Sequence, residues 1–121
     1  MNPTAPIEYT VEDGLAHVER HREEIMANYH ASPDIPQWMR SPRLETMWQA
    51  GCWLNSTLCE NGASEAEVHD IGFAHGQRCV FGDPWKWAVI YANEYRAINC
   101  VRDQPGKALA DAINREHIGT P

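Results

Sequence analysis

The chain has 121 residues, 43% of them hydrophobic, enough for one core that needs neither a disulfide nor a metal to hold it together. Seventeen acids against ten Lys and Arg give a formal charge of −7, which disfavours direct binding to a nucleic-acid backbone or an anionic membrane. The excess is lopsided, since residues 1–63 hold nine acids and four bases whereas residues 64–121 hold eight and six.

The opening MNPTAPIEYT has no basic start and no apolar stretch of the kind that directs export, so a cytoplasmic protein is expected. Residues 1–9, with Pro3 and Pro6, read as a flexible N-terminal arm. Thr10 then caps a first helix running to about Tyr29, with Asp13 at the acidic position of a capping box. Val11, Leu15, Val18, Ile25, Met26 and Tyr29 share one face of it.

His30 to Ser41 contains Pro33 and Pro36 and cannot continue that helix. Ile35, Trp38 and Met39 make it an ordered loop with something to bury. Ser41 followed by Pro42 starts a second helix that stops at Gly62. Its expected core face is Leu44, Met47, Trp48, Gly51, Cys52, Leu54, Leu58 and Cys59, with Trp53 on the outward side.

Ser64 and Glu67 form a capping box for a third helix that ends near Gly82. Val68, Ile71, Gly72, His75 and Cys79 make one stripe on it, and Ala66, Phe73 and Val80 a second, so it can be covered twice. Asp83 and Pro84 then open the most apolar helix of the chain, 83–102. Its polar sector is narrow, near Lys86 and Asn93, so its neighbours should enclose it. The short connection makes the third and fourth helices an antiparallel pair. A last short helix is expected from about Lys107 to His117, anchored by Leu109 and Ile113, before a frayed tail at 118–121. With no strand pattern and no repeat, the expected fold is all-α: one domain over 10–117, an irregular bundle of about five helices around the buried helix 83–102.

Cys52, Cys59, Cys79 and Cys100 contain no CxxC pair, and about 10 Å of helix rise separates the first two. They read as reduced, buried, small apolar residues. His17 and His21 are spaced i,i+4 with Asp13 a turn before and Glu24 a turn after, a stripe able to hold a first-row ion such as Zn²⁺. It lies far from the apolar face, where a solvated surface is the default, and no metal or other cofactor is expected.

His75 lies on the core stripe of the third helix between Gly72 and Gly76, with Arg78 one turn on. The glycines either let a ligand approach the imidazole or let two helices pack closely around a core histidine. His69 is on another face. Neither Ser56, Thr57 nor any cysteine sits in a nucleophile motif, and no phosphate-cradling loop occurs, so the reading leans away from an enzyme.

Five tryptophans and four tyrosines exceed what such a core needs. Trp38 and Trp53 are therefore candidate partner anchors, together with the acids Glu19, Glu23 and Glu24. The leading expectation is a non-catalytic acidic helical protein that binds and inhibits a macromolecular partner by occupying its basic surface. Its size and lack of motifs are of the type phages and mobile elements carry against host defence, an analogy only. Two alternatives stand beside it: a small-ligand or nucleotide site at His75, Arg78, Gly72 and Gly76, and a metal-dependent enzyme using Asp13, His17 and His21. A protein partner is expected, and a homodimer through Phe73 and Val80 is compatible with it.

Overall fold

The computed structural model describes residues 8–102, of which 99–102 are described by backbone only. Five α-helices follow one another: α1 (Val11–Arg20), α2 (Arg22–Ala31), α3 (Pro42–Glu60), α4 (Glu65–Cys79) and α5 (Pro84–Arg102), with a 3₁₀ turn at Gln37–Met39 and no strand among the described residues. Helix α3 meets all four of the others, and α5 packs on α1, α3 and α4, so these two form the centre. The helix expected at 107–117, its anchors and Cys100's side chain lie outside the described residues.

Local signals set the helix ends. Thr10 and Asp13 form a reciprocal capping box, as do Ser64 and Glu67. Ser41 accepts from the Leu44 N–H ahead of Pro42, and an Asp83 carboxylate oxygen accepts from the Trp85 N–H at 3.0 Å. Helix α3 stops in a Schellman motif. The Gly62 N–H bonds the Cys59 carbonyl and the Ala63 N–H that of Leu58, with Gly62 at φ +84° where a Cβ would be strained.

The single helix expected from Thr10 to Tyr29 bends at His21. Its i→i−4 bonding persists there, from the His21 N–H to His17 and from the Ile25 N–H to His21. Residues 19–24 are all polar, so no apolar side chain between Val18 and Ile25 holds that turn to the core. Helix α1 packs on α3 and α5 while α2 packs on α3, and the chain bends between these two seats.

The side of α3 that faces inward differs from the expectation. Ala50, Trp53, Leu54, Thr57 and Leu58 are buried, an i, i+3, i+4, i+7, i+8 stripe turned by about 100° from the anticipated one. Trp53, expected outside, is only 3% exposed, while Cys59, expected inside, is exposed and Cys52 is half-buried. The three described cysteines are unpaired. The Trp53 ring lies 5.9 Å from that of Trp85 and edge-on to Tyr9, so α5 and the start of the chain recruit it.

On α1, Val11 and Leu15 stand open to water, and Gly14 and Val18 face inward. The six-membered ring of Trp85 occupies the space a Gly14 Cβ would need, so α1 presents its glycine to α5 and turns Leu15 out. Asn93, read as part of a polar sector, is drawn in: its carboxamide oxygen accepts from the Tyr9 N–H at 2.5 Å and its amide donates to the Tyr9 carbonyl at 3.0 Å. Tyr9, placed by its sequence in the arm, is thus docked on α5. Helix α4 keeps its expected inner stripe but ends at Cys79, and its second stripe, Ala66, Phe73 and Val80, is exposed.

The contact at Gly14 sets a sign. Gly14→Ala gains about 1 kcal/mol of helix propensity but meets a buried indole, an overpacking loss of up to about 3 kcal/mol. A net destabilisation of about 1–2 kcal/mol is expected from chemical denaturation. Gly76→Ala, where nothing lies within 4 Å of the added methyl, should instead stabilise by about 0.5–1 kcal/mol.

Candidate functional site

The segment between α2 and α3 is built around Arg40. Its guanidinium donates to four carbonyls, Tyr29 at 2.5 Å, His30 at 3.2 Å, Ser32 at 3.2 Å and Ile35 at 2.8 Å, and lies 4.8 Å from the Tyr29 ring centroid. The carbonyls at a helix C-terminus have no partner within the helix, and a planar cation with five donors suits them. Two prolines limit the loop further. Ile35 is half-buried, so the loop does bury something, but Trp38 is 84% exposed and Met39 47%. The indole thus stands in water on a braced loop.

A second arginine does the same in the first turn of α3. Arg43 donates to the carbonyls of Cys79, Val80 and Gly82, closing the end of α4 and bracing its link to α5. Phe81 in that link is 97% exposed. The sequence signal for Phe81 is its place just before Gly82-Asp83-Pro84, between two helices. Arg40 and Arg43 carry no such signal, because both roles depend on carbonyls brought close by folding.

The three proposed acids flank the bend at His21. Glu19, Glu23 and Glu24 are all exposed, and Glu19 pairs with Arg22 at 3.4 Å across open solvent. Such a pair adds little to stability. Trp53 does not belong with them: its burial removes it as a partner anchor.

His75 is 4% exposed and its Nε2 is 3.0 Å from the Pro84 carbonyl and 3.2 Å from Cys79 Sγ. A carbonyl can only accept, so Nε2 carries the proton. Tyr91 packs edge-on to the ring. Arg78 is directed elsewhere, with its guanidinium 4.9 Å from the Trp87 ring centroid, so His75 and Arg78 do not converge on one ligand. The pairings Arg78 with Trp87 and His75 with Tyr91 show α4 and α5 to be antiparallel. Gly72 meets only Asn55 and Gly76 meets nothing, so neither glycine is there for close helix approach.

His17 and His21 come together, ring centroids 4.5 Å apart, while Asp13 is engaged with Thr10 in the helix cap. Among the described residues no three His, Cys, Asp or Glu side chains converge on a position that could hold an ion. His17 instead borders a polar depression of ≈ 390 Å³ between α1, α3 and α5, with Arg20, Glu60 and Arg96. Arg96 stacks 4.5 Å from the Tyr9 ring centroid. That grouping was invisible in sequence because it needs three helices and Tyr9 in place.

Among the described residues no helix is long and apolar enough to cross a membrane. No family model, no curated protein and no solved structure matches this chain.

The buried histidine gives stability a pH dependence. Burial pushes the His75 imidazole below its ordinary 6.5, the Pro84 hydrogen bond opposing without reversing it. His17 is lowered too, first by burial and then by the charges of His21 and Arg20, with Glu60 opposing. Below about pH 6.5 the unfolded chain takes up protons that the folded chain resists, so these groups' contribution is complete above that pH and declines as acid is added. Denaturation between pH 7.5 and 5 should show that decline. His75→Gln should be less stable at pH 7.5 and have a shallower slope, with a smaller change of slope for His17→Gln.

Proposed function

We propose that this protein is a non-catalytic binding protein, which uses its acidic surface and the braced Trp38 loop to occupy, and thereby inhibit, a macromolecular partner with a basic face. The observation that carries the reading is Trp38: an indole 84% exposed on a loop that Arg40 ties at four carbonyls. Binding through a side chain on an already ordered loop costs little conformational entropy, and tryptophan is enriched among residues that dominate interface energies. Met39 extends the apolar contact.

The charges support the rest. Helix α2 joins the two features, with exposed Glu23 and Glu24 in its first turn and the Arg40-braced loop at its other end. A net −7 favours association with a cationic surface and speeds encounter, mostly at low salt.

Affinity capture from the source cells tests this. A specific protein should be retained by the wild type, retained less as salt rises, and lost with Trp38→Ala. Arg40→Lys keeps the charge but not the fork, and should weaken capture about tenfold while remaining folded at the assay temperature. Reversal of Glu19, Glu23 and Glu24 to Lys should remove the salt dependence. If Trp38→Ala and the reversed variant both retain the same protein as the wild type, the reading is wrong.

A further inference from the structure

Helix α4 carries a water-facing stripe that is self-complementary. Ala66, His69, Asp70, Phe73, Gln77 and Val80 are all exposed and lie within roughly 100° of arc. Phe73, near the middle, is 61% exposed, Val80 52%, and Phe81 just beyond 97%. Beside Phe73 runs a groove of ≈ 340 Å³ between α3 and α4, lined by Gly51, Asn55, Val68 and Gly72. Apart from its chain neighbours and the backbone of its own helix, nothing lies within 4 Å of where a Cβ on Gly51 would be. A protruding ring and an unfilled groove thus sit side by side on one surface.

The geometry points to a second copy of this chain as the occupant: two α4 helices pack antiparallel about a two-fold axis at Phe73, each Phe73 ring entering the other copy's groove. A two-fold contact applies one patch to itself, and this patch holds both the projection and its recess. The register sets Ala66 against Val80 of the other copy, small against large. His69 falls opposite Gln77 and Asp70 opposite Gly76, so no like charges are opposed.

Charge complementarity favours the same arrangement. Glu65, in the first turn of α4, comes to the other copy's α4 terminus, where Arg43 holds its guanidinium on the carbonyls of Cys79, Val80 and Gly82. An acid thus meets a fixed cation at both ends of the contact. Parallel packing would instead set Glu65 against Glu65.

The area sets the strength. Phe73, Val80 and Phe81 leave on the order of 400 Å² of apolar surface in water, at about 200 Å² for a fully exposed aromatic. That is about half of the ~800 Å² per partner of a standard interface. A contact of that size is at the weak, reversible end of specific interfaces. This uses neither Trp38 nor Arg40, so it stands independently of that reading.

Sedimentation equilibrium of the full chain from 1 µM to 1 mM, with reductant to keep exposed Cys59 from cross-linking, tests it. The wild type should pass from monomer to dimer. Phe73→Glu should weaken association about 100-fold, and Glu65→Arg threefold to tenfold. Should Phe73→Glu fail to fold, Ala66→Arg, at an exposed position, serves instead and should abolish association over that range. A wild type that stays monomeric to 1 mM overturns the proposal. So does a Phe73→Glu or Ala66→Arg variant that dimerises as the wild type does.

Discussion

The bundle depends on the seating of Trp85. Its indole fills the space left by the missing side chain of Gly14 and lies 5.9 Å from the Trp53 ring. One side chain on the first turn of α5 therefore sets the closeness of α1 and the rotation of α3. With Trp53 turned in, Ala50, Leu54, Thr57 and Leu58 follow on the same stripe, and Ala88, Ala92 and Tyr95 are buried on α5. Alanines at the centre allow close helix contact, and aromatics fill the space at the edges. Tyr9 closes this junction by crossing from α5 to α3, bonded to Asn93 and accepting from Asn61 at 3.1 Å.

Around that centre two arginines do work that apolar packing cannot. Loop carbonyls pulled away from water need donors, and neither loop can form regular structure to supply them. Arg40 and Arg43, three residues apart at the start of α3, supply seven such contacts between them. Both loops are thereby tied to the same end of α3, and each displays an exposed aromatic, Trp38 or Phe81.

The ionisable groups divide into two sorts. His75 is enclosed, spends its ring proton on Pro84 and packs against Tyr91, so it joins α4 to α5 and contributes to folding. The acids at the bend between α1 and α2 are solvated and nearly unpaired, so they add little to stability but shape the field that an approaching molecule meets. The bend places them at one end of α2, with the Trp38 loop at the other.

Local patterns along the chain are sufficient for the all-α class, both capping boxes, the Gly62 stop and the Asp83-Pro84 start, because each is a contest among neighbouring backbone groups settled within one turn. The sequence offered Trp38 both as something for its loop to bury and, with Trp53, as an indole not required inside; Trp38 is exposed and Trp53 is buried. It could not settle which face of α3 turns inward, since Trp48, Cys52, Trp53 and Cys59 offer apolar residues on several sides of the helix. That choice fell to Trp85 and Tyr9, more than thirty residues away on either side, and with it went the burial of Trp53 and the exposure of Cys59. The arginine braces and the polar depression at His17 and Arg96 likewise exist only once distant carbonyls and helices are assembled. Periodicity names the faces a helix can bury; the shape of what packs against it selects one.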